Sequence, residues 1–180
     1  MVLSQDHKRA FDFDKGPNTG GMGAYSPLPF ISGQDREYAL EHIMKPMAAA
    51  MVAEGCPFRG VLYGGLMKTP SGIKVVEFNC RFGDPETEVV LPRLSSDIFE
   101  VFNAVASEDP LPALEWADEA VLGIVLASKG YPGSYDKGAV IGGLVEAASV
   151  PGVRIYHMGT KFQDGNVVTA GGRVLMVVAE

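Results

Sequence analysis

The chain has 180 residues, 47% hydrophobic and 21% charged, the balance of a folded globular protein rather than a disordered, collagen-like or disulfide-scaffold one. Fifteen lysines and arginines against 22 acidic residues give a net charge of −7, which disfavours a nucleic-acid partner but leaves room for a local phosphate site. Cys56 and Cys80 form no CxxC pair, so no zinc site is indicated. No apolar run approaches the ~20 residues that span a bilayer, and no signal pattern opens the chain. A cytoplasmic protein with no membrane partner is expected.

In chain order, Gln5-Asp6-His7-Lys8-Arg9 comes first. Three potentially cationic side chains in a row form either a local phosphate site or a solvated charged patch. Glycine is the unusual count, 22 of 180. Four glycines fall in Gly16-Pro17-Asn18-Thr19-Gly20-Gly21-Met22-Gly23, a density that predicts a loop rather than helix or strand. Backbone N–H groups freed by glycine can form an anion-binding concavity, so the stretch is either a ligand cradle or a long turn. It is neither a Walker loop nor a dinucleotide fingerprint, since no Gly-Lys-Ser/Thr follows and no apolar strand precedes it.

Residues 34–54 predict a helix, with Leu40, Ile43, Met44, Met47 and Met51 at three-to-four spacing and Pro46 as a kink or break. Residues 61–67 and 73–79 predict two strands of a hairpin around Lys68-Thr69-Pro70-Ser71-Gly72. Ser95 or Ser96 can cap a helix that ends at Asp109-Pro110. From about residue 119 the texture turns β-rich, with strands over 120–128, 153–157 and 173–178 and turn signals at Asp164-Gly165 and Gly171-Gly172. The pattern predicts two domains, 1–118 and 119–180.

The strongest chemical constellation is Glu77-Phe78-Asn79-Cys80-Arg81-Phe82-Gly83-Asp84-Pro85-Glu86. In a strand, Glu77, Asn79 and, if the strand continues, Arg81 share one face, while Val76, Phe78 and Cys80 share another suited to a core. A carboxylate beside an amide oxygen suits magnesium. An arginine fork beside them suits phosphate oxygens. Such a set fits phosphoryl transfer, and a polar strand face turned to solvent is the alternative.

Together these stretches resemble the phosphoribosylamine–glycine ligase family of ATP-grasp enzymes. The matching residues are Gln5 to Arg9, Gly16 to Pro27, Glu77 to Glu88, Val90-Leu91-Pro92-Arg93-Leu94 and Ala127-Ser128-Lys129-Gly130-Tyr131-Pro132-Gly133. The resemblance implies an α+β fold: the second half of an ATP-grasp domain, an antiparallel sheet with packed helices, over 1–118, then a truncated β-rich C-terminal domain over 119–180. It implies a ligase that joins glycine to 5-phosphoribosylamine, cleaving ATP to ADP and phosphate through glycyl phosphate, with Mg2+ or Mn2+ as the metal. Glu77 and Asn79 match the metal-binding positions and Arg81 the arginine at the reacting phosphate and acyl groups. Lys8 and Arg9 are candidates for phosphate contacts. Asn18, Thr19, Gly20, Gly21, Gly23, Asp84, Pro85 and Glu86 are candidates for the phosphoribosylamine and glycine side. The strand before Glu77 carries no carboxylate, so a second metal would rely on Glu77 or on ATP itself.

In that family the ATP-gripping lysines and the adenine-holding hinge lie upstream of the Gln5 stretch. The resemblance therefore implies an internal fragment that neither binds ATP tightly nor turns over alone. The alternatives are another ATP-grasp carboxylate–amine ligase or carboxylase, and a non-catalytic folded piece that self-associates through truncated edges.

Overall fold

The structure is a computed structural model and describes all 180 residues. The chain opens with strands β1 (Gln5–Asp6), β2 (Arg9–Phe11), β3 (Lys15–Asn18) and β4 (Gly23–Ser26). Helices α1 (Gly33–Ala39) and α2 (Lys45–Ala53) follow, then β5 (Tyr63–Thr69), β6 (Gly72–Asn79), α3 (Thr87–Val90) and α4 (Ile98–Ser107). The remainder is β7 (Val121–Ala127), α5 (Leu144–Ala148), β8 (Val153–His157), β9 (Thr160–Gln163), β10 (Asn166–Thr169) and β11 (Arg173–Ala179). The α+β expectation is met, and every strand pairing between these elements is antiparallel. No helix is long and apolar enough to cross a membrane.

Two compact units result. The first comprises Met1–Pro27, Asp84–Ser96 and Leu114–Glu180, and the second Leu28–Gly83 and Asp97–Ala113. This packing division differs from the boundary expected near residue 118. The first unit is built on a five-stranded sheet in the order β1-β4-β7-β11-β8. Strands from both sides of residue 118 are therefore neighbours, because β7 hydrogen-bonds β4 on one edge and β11 on the other.

The core of this unit follows from strict alternation in β7. Val121 and Val125 point inward and pack with Ala24, Val89, Met176 and Val178, while Leu122, Ile124 and Leu126 face out. Gly123 shares the inward face, where a Cβ would strike Met176 and lie 3.0 Å from Val178 Cγ2. The hairpin of β9 and β10 turns on Asp164 (φ 50°) and Gly165 (φ 78°), as that dipeptide predicts.

In the second unit, α1 opens with a capping box. Ser32 Oγ accepts from Asp35 N–H at 3.1 Å, and the Asp35 carboxylate accepts from Ser32 N–H at 2.9 Å. Lys68 Nζ also reaches Asp35 Oδ2 at 2.7 Å. The lysine bond and then the Ser32 bonds hold the Asp35 carboxyl down at about 2. The predicted break at Pro46 takes the form of a π-turn over Leu40–Met44, which places Pro46 in the first turn of α2, where a missing N–H costs no bond.

The hairpin of β5 and β6 forms as predicted, with a bulge. Gly65 faces Glu77 and Leu66 faces Val75, so Val76 has no cross-strand partner. The expected core role of Val76 therefore fails. The bulge throws it out of the period-two pattern, and it is 62% exposed. Helix α4 is capped by Asp97, whose Oδ1 accepts from Phe99 N–H at 2.8 Å, and not by Ser95 or Ser96. Ser96 Oγ is spent elsewhere, accepting from Glu115 N–H at 2.8 Å.

Candidate functional site

Glu77 and Asn79 lie at the end of β6 in the second unit. The residues opposite them on β5 are Gly65 and Tyr63, so that strand adds no carboxylate, as expected from the sequence. A Cβ on Gly65 would come within 3.1 Å of Glu77 Cγ, and its absence leaves the Glu77 stem room. Arg81 lies past the end of the strand, so strand alternation does not bring it beside Asn79. Its own reach does: Nη1 donates to the Phe82 carbonyl at 2.8 Å, and Nη2 lies 3.4 Å from Asn79 Oδ1. Asn79 Nδ2 is buried without a hydrogen-bond partner. No group of three or more histidines, cysteines or acids converges into a metal site. The Glu77 carboxylate and Asn79 Oδ1 are hard oxygens that suit a magnesium-type cation, which takes one or two protein oxygens and completes its shell with phosphate and water; the unpartnered Asn79 Nδ2 is a donor and suits a phosphate oxygen beside it.

The remaining candidates gather in the first unit. The stretch read as one loop is divided: residues 15–18 form β3, Gly23 opens β4, and only 19–22 is a turn. Of the two readings of this stretch, the turn is the one formed, because every N–H of residues 19–22 is already bonded. Thr19 N–H donates to the Lys8 carbonyl (2.7 Å) and Met22 N–H to the His7 carbonyl (2.8 Å). Gly20 N–H donates to the Tyr131 hydroxyl (3.1 Å) and Gly21 N–H to Thr19 Oγ1 (3.0 Å).

The glycines instead permit close approach. Gly21 has φ +120°, and a Cβ there would strike Pro85 and lie 2.6 Å from Asp6 Oδ1. Gly23 faces the Gly123 carbonyl, where a Cβ would sit at 2.5 Å, so its place is in strand pairing. Asn18 is exposed opposite Arg9, whose Nη1 donates to the Gly16 carbonyl at 2.8 Å.

Around this turn lie Asp6, Asp84, Glu86 and Glu88, with Lys8 and Arg173 as counter-charges. Lys8 Nζ sits 2.8 Å from Asp6 Oδ2, and the Asp6 side chain is 5% exposed. Burial pushes the Asp6 carboxyl up against the opposing pull of Lys8. Burial likewise raises Glu88, helped by the nearby charges of Asp84 and Glu86. Pro85 and Glu86 are buried. Arg173 Nη1 reaches Asp84 Oδ1 at 2.8 Å.

Asp6, Glu88, Tyr131 and Arg173 were not candidates on sequence. Asp6 stands in sequence beside His7, Lys8 and Arg9, and Arg173 opens an apolar strand, so neither carries a local signal of its partners.

Comparison with known proteins fits this arrangement. The family profile Phosphoribosylglycinamide synthetase, ATP-grasp (A) domain, matches residues 1–87, and Phosphoribosylglycinamide synthetase, C domain, matches residues 121–180. The class is thus that of ATP-grasp proteins. Within it, the chain belongs to the phosphoribosylglycinamide synthetase family.

The phosphoribosylamine–glycine ligase of Halalkalibacterium halodurans is 53% identical over 180 residues, covering 100% of this chain and 41% of that protein. The Pseudomonas aeruginosa phosphoribosylamine–glycine ligase is 48% identical, covering 99% and 42%. The trifunctional purine biosynthetic protein adenosine-3 of Gallus gallus is 51% identical, covering 99% and 18%. A crystal structure of phosphoribosylamine–glycine ligase from Thermotoga maritima superposes with a TM-score of 0.81 at 30% identity, over 98% of this chain and 43% of that one. The chain spans about two fifths of the length of the bacterial ligases it matches.

Proposed function

We propose that this chain forms part of a ligase that joins glycine to 5-phosphoribosylamine with cleavage of ATP to ADP and phosphate. The observation that carries the reading is an identity of 53% to a curated phosphoribosylamine–glycine ligase along the whole chain. On this reading residues 1–118 belong to the ATP-grasp domain and 119–180 to the C-terminal domain.

Glu77 and Asn79 would hold Mg2+ or Mn2+, offering a carboxylate and an amide oxygen. A cation there would neutralise charge on the phosphates of ATP. Arg81, already turned toward Asn79, offers a planar fork to the oxygens of the transferred phosphoryl group. The glycine carboxylate attacks the γ-phosphate, and the amine of phosphoribosylamine then displaces phosphate from the acyl phosphate. The first step needs alignment more than a strong base; in the second, the proton lost by the amine leaves with the departing phosphate. The turn 19–22, exposed Asn18 and exposed Asp84 form the surface against which glycine and phosphoribosylamine are held, with buried Pro85 and Glu86 behind it. Lys8, half exposed beyond its bond to Asp6, and Arg9 supply positive charge for a phosphate.

The test uses this sequence within a polypeptide of its relatives' length. ADP release that requires both glycine and phosphoribosylamine is the expected result. ADP release indifferent to either substrate, or none, overturns the reading.

A further inference from the structure

Gly20 has both backbone polar groups bonded to side chains distant in sequence. Its N–H donates to the Tyr131 hydroxyl at 3.1 Å, and its carbonyl accepts from Arg173 Nη1 at 3.1 Å. The same Nη1 reaches the Asp84 carbonyl at 3.2 Å and Asp84 Oδ1 at 2.8 Å. Gly20 also lies flat on the guanidinium, where a Cβ would sit 3.0 Å from Cζ and 3.1 Å from Nε. The frame behind these two side chains is itself fixed. Ser128 N–H donates to the Gly172 carbonyl at 2.8 Å and Ser128 Oγ to the Gly171 carbonyl at 2.9 Å. The Tyr131 ring packs against Gly172 and edge-on to Tyr135, 6.2 Å between centroids.

From this geometry we infer that Arg173 and Tyr131 are positioning residues: they clamp the turn 19–22 and tie it to Asp84, so that the C-terminal domain sets the shape of the glycine-rich turn. The inference deepens the ligase reading and rests on it for the identity of the ligands. A turn rich in glycine has more backbone freedom than any other. Fixing it before the ligand arrives removes an ordering cost from binding. Within the turn, Gly20 has no other hydrogen bond to fix it, whereas Thr19 and Met22 are held by backbone bonds to residues 8 and 7.

Backbone amide exchange in the 180-residue chain is the direct test, on wild type, Tyr131→Phe, Arg173→Lys and Arg173→Gln. Loss of the phenol or of the guanidinium should speed exchange at Gly20 and Gly21 about tenfold, the scale of one lost hydrogen bond. Thr19, bonded to backbone, should change little. Lysine should not rescue, because an ammonium lacks the planar guanidinium body, Cζ, Nε and Nη2, against which Gly20 packs.

Steady-state kinetics on the sequence within a polypeptide of its relatives' length supply the second reading. KM for phosphoribosylamine or glycine should rise several-fold while KM for ATP stays put. Unchanged exchange at Gly20 and Gly21 in all variants overturns the clamp. So does an equal shift of all three KM values, which marks a merely structural role. Faster exchange in a polypeptide whose wild type shows no glycine-dependent ADP release leaves the clamp standing and overturns the ligase reading instead.

Discussion

Arg93 donates through Nη1 to Oγ of Ser26 across 2.6 Å, with both residues buried. The rest of the guanidinium is spent on the Ala117 carbonyl, from Nε at 3.2 Å and Nη2 at 2.8 Å, and no carboxylate pairs with it. Ser26 Oγ–H in turn donates to the Leu3 carbonyl at 2.7 Å. A buried cation is thus held by neutral oxygens from two chain segments, one of them tied in turn to Leu3. Ser26→Ala strands a charged donor and leaves the Leu3 carbonyl short of a partner. It should lower stability by about 1–3 kcal/mol in urea or thermal unfolding. A loss below experimental error would mean water replaces the hydroxyl.

Glu77→Ala and Asn79→Ala test the cation pair. Each removes one of two oxygens, and β5 has no carboxylate to replace it. In a polypeptide of its relatives' length, turnover should fall about a hundredfold or more, the usual scale for deleting one preorganised electrostatic contact. Extra magnesium should recover part of the loss. Near-wild-type turnover in both variants at saturating magnesium removes the assignment.

Much of this arrangement was legible in the residues because local rules act locally. The β5–β6 hairpin, the Asp164-Gly165 turn and the apolar strands β7 and β11 follow from alternation and turn chemistry. The β1 to β3 strands did not, because strands of two to four residues are too short to show a period. The bulge at Val76 did not, since the extra residue is defined only by its cross-strand partner. For the candidate site, the shared placement of Glu77 and Asn79 at the end of β6 follows from spacing on one strand. The grip of Arg173 on Gly20 spans 153 positions and is created by sheet order, with β4, β7 and β11 side by side. The same tertiary bonding accounts for the anion concavity that did not form: the N–H groups of turn 19–22 found partners that composition cannot show.

Arg81→Lys separates a fork from a point charge. Arg81 reaches both the Phe82 carbonyl and Asn79 Oδ1 because its donors diverge from one plane. Lysine keeps the charge but not the paired geometry. Turnover should drop about tenfold or more while folding stability stays within about 0.5 kcal/mol, as for an exposed substitution. An unchanged rate assigns Arg81 to structure alone.

Glu88→Gln should make the protein less sensitive to pH. The Glu88 carboxyl is raised above the ordinary glutamate value of 4.5, chiefly by burial and then by Asp84 and Glu86, against the pull of its own backbone N–H and Arg173. Its Oε2 is buried without a partner. A raised folded-state pKa means the folded protein binds this proton more tightly than the unfolded chain. Stability is therefore fullest below 4.5 and declines as pH rises through the folded value. Glutamine never ionises and escapes that decline. Thermal midpoints of the two proteins should converge near pH 4 and separate toward pH 7, with Glu88→Gln the higher. Asp6, raised by burial in the same direction, stays in both and leaves a shared residual slope. A variant less stable than wild type at pH 7 would mean that the attraction between Glu88 and Arg173 outweighs the desolvation of the carboxylate.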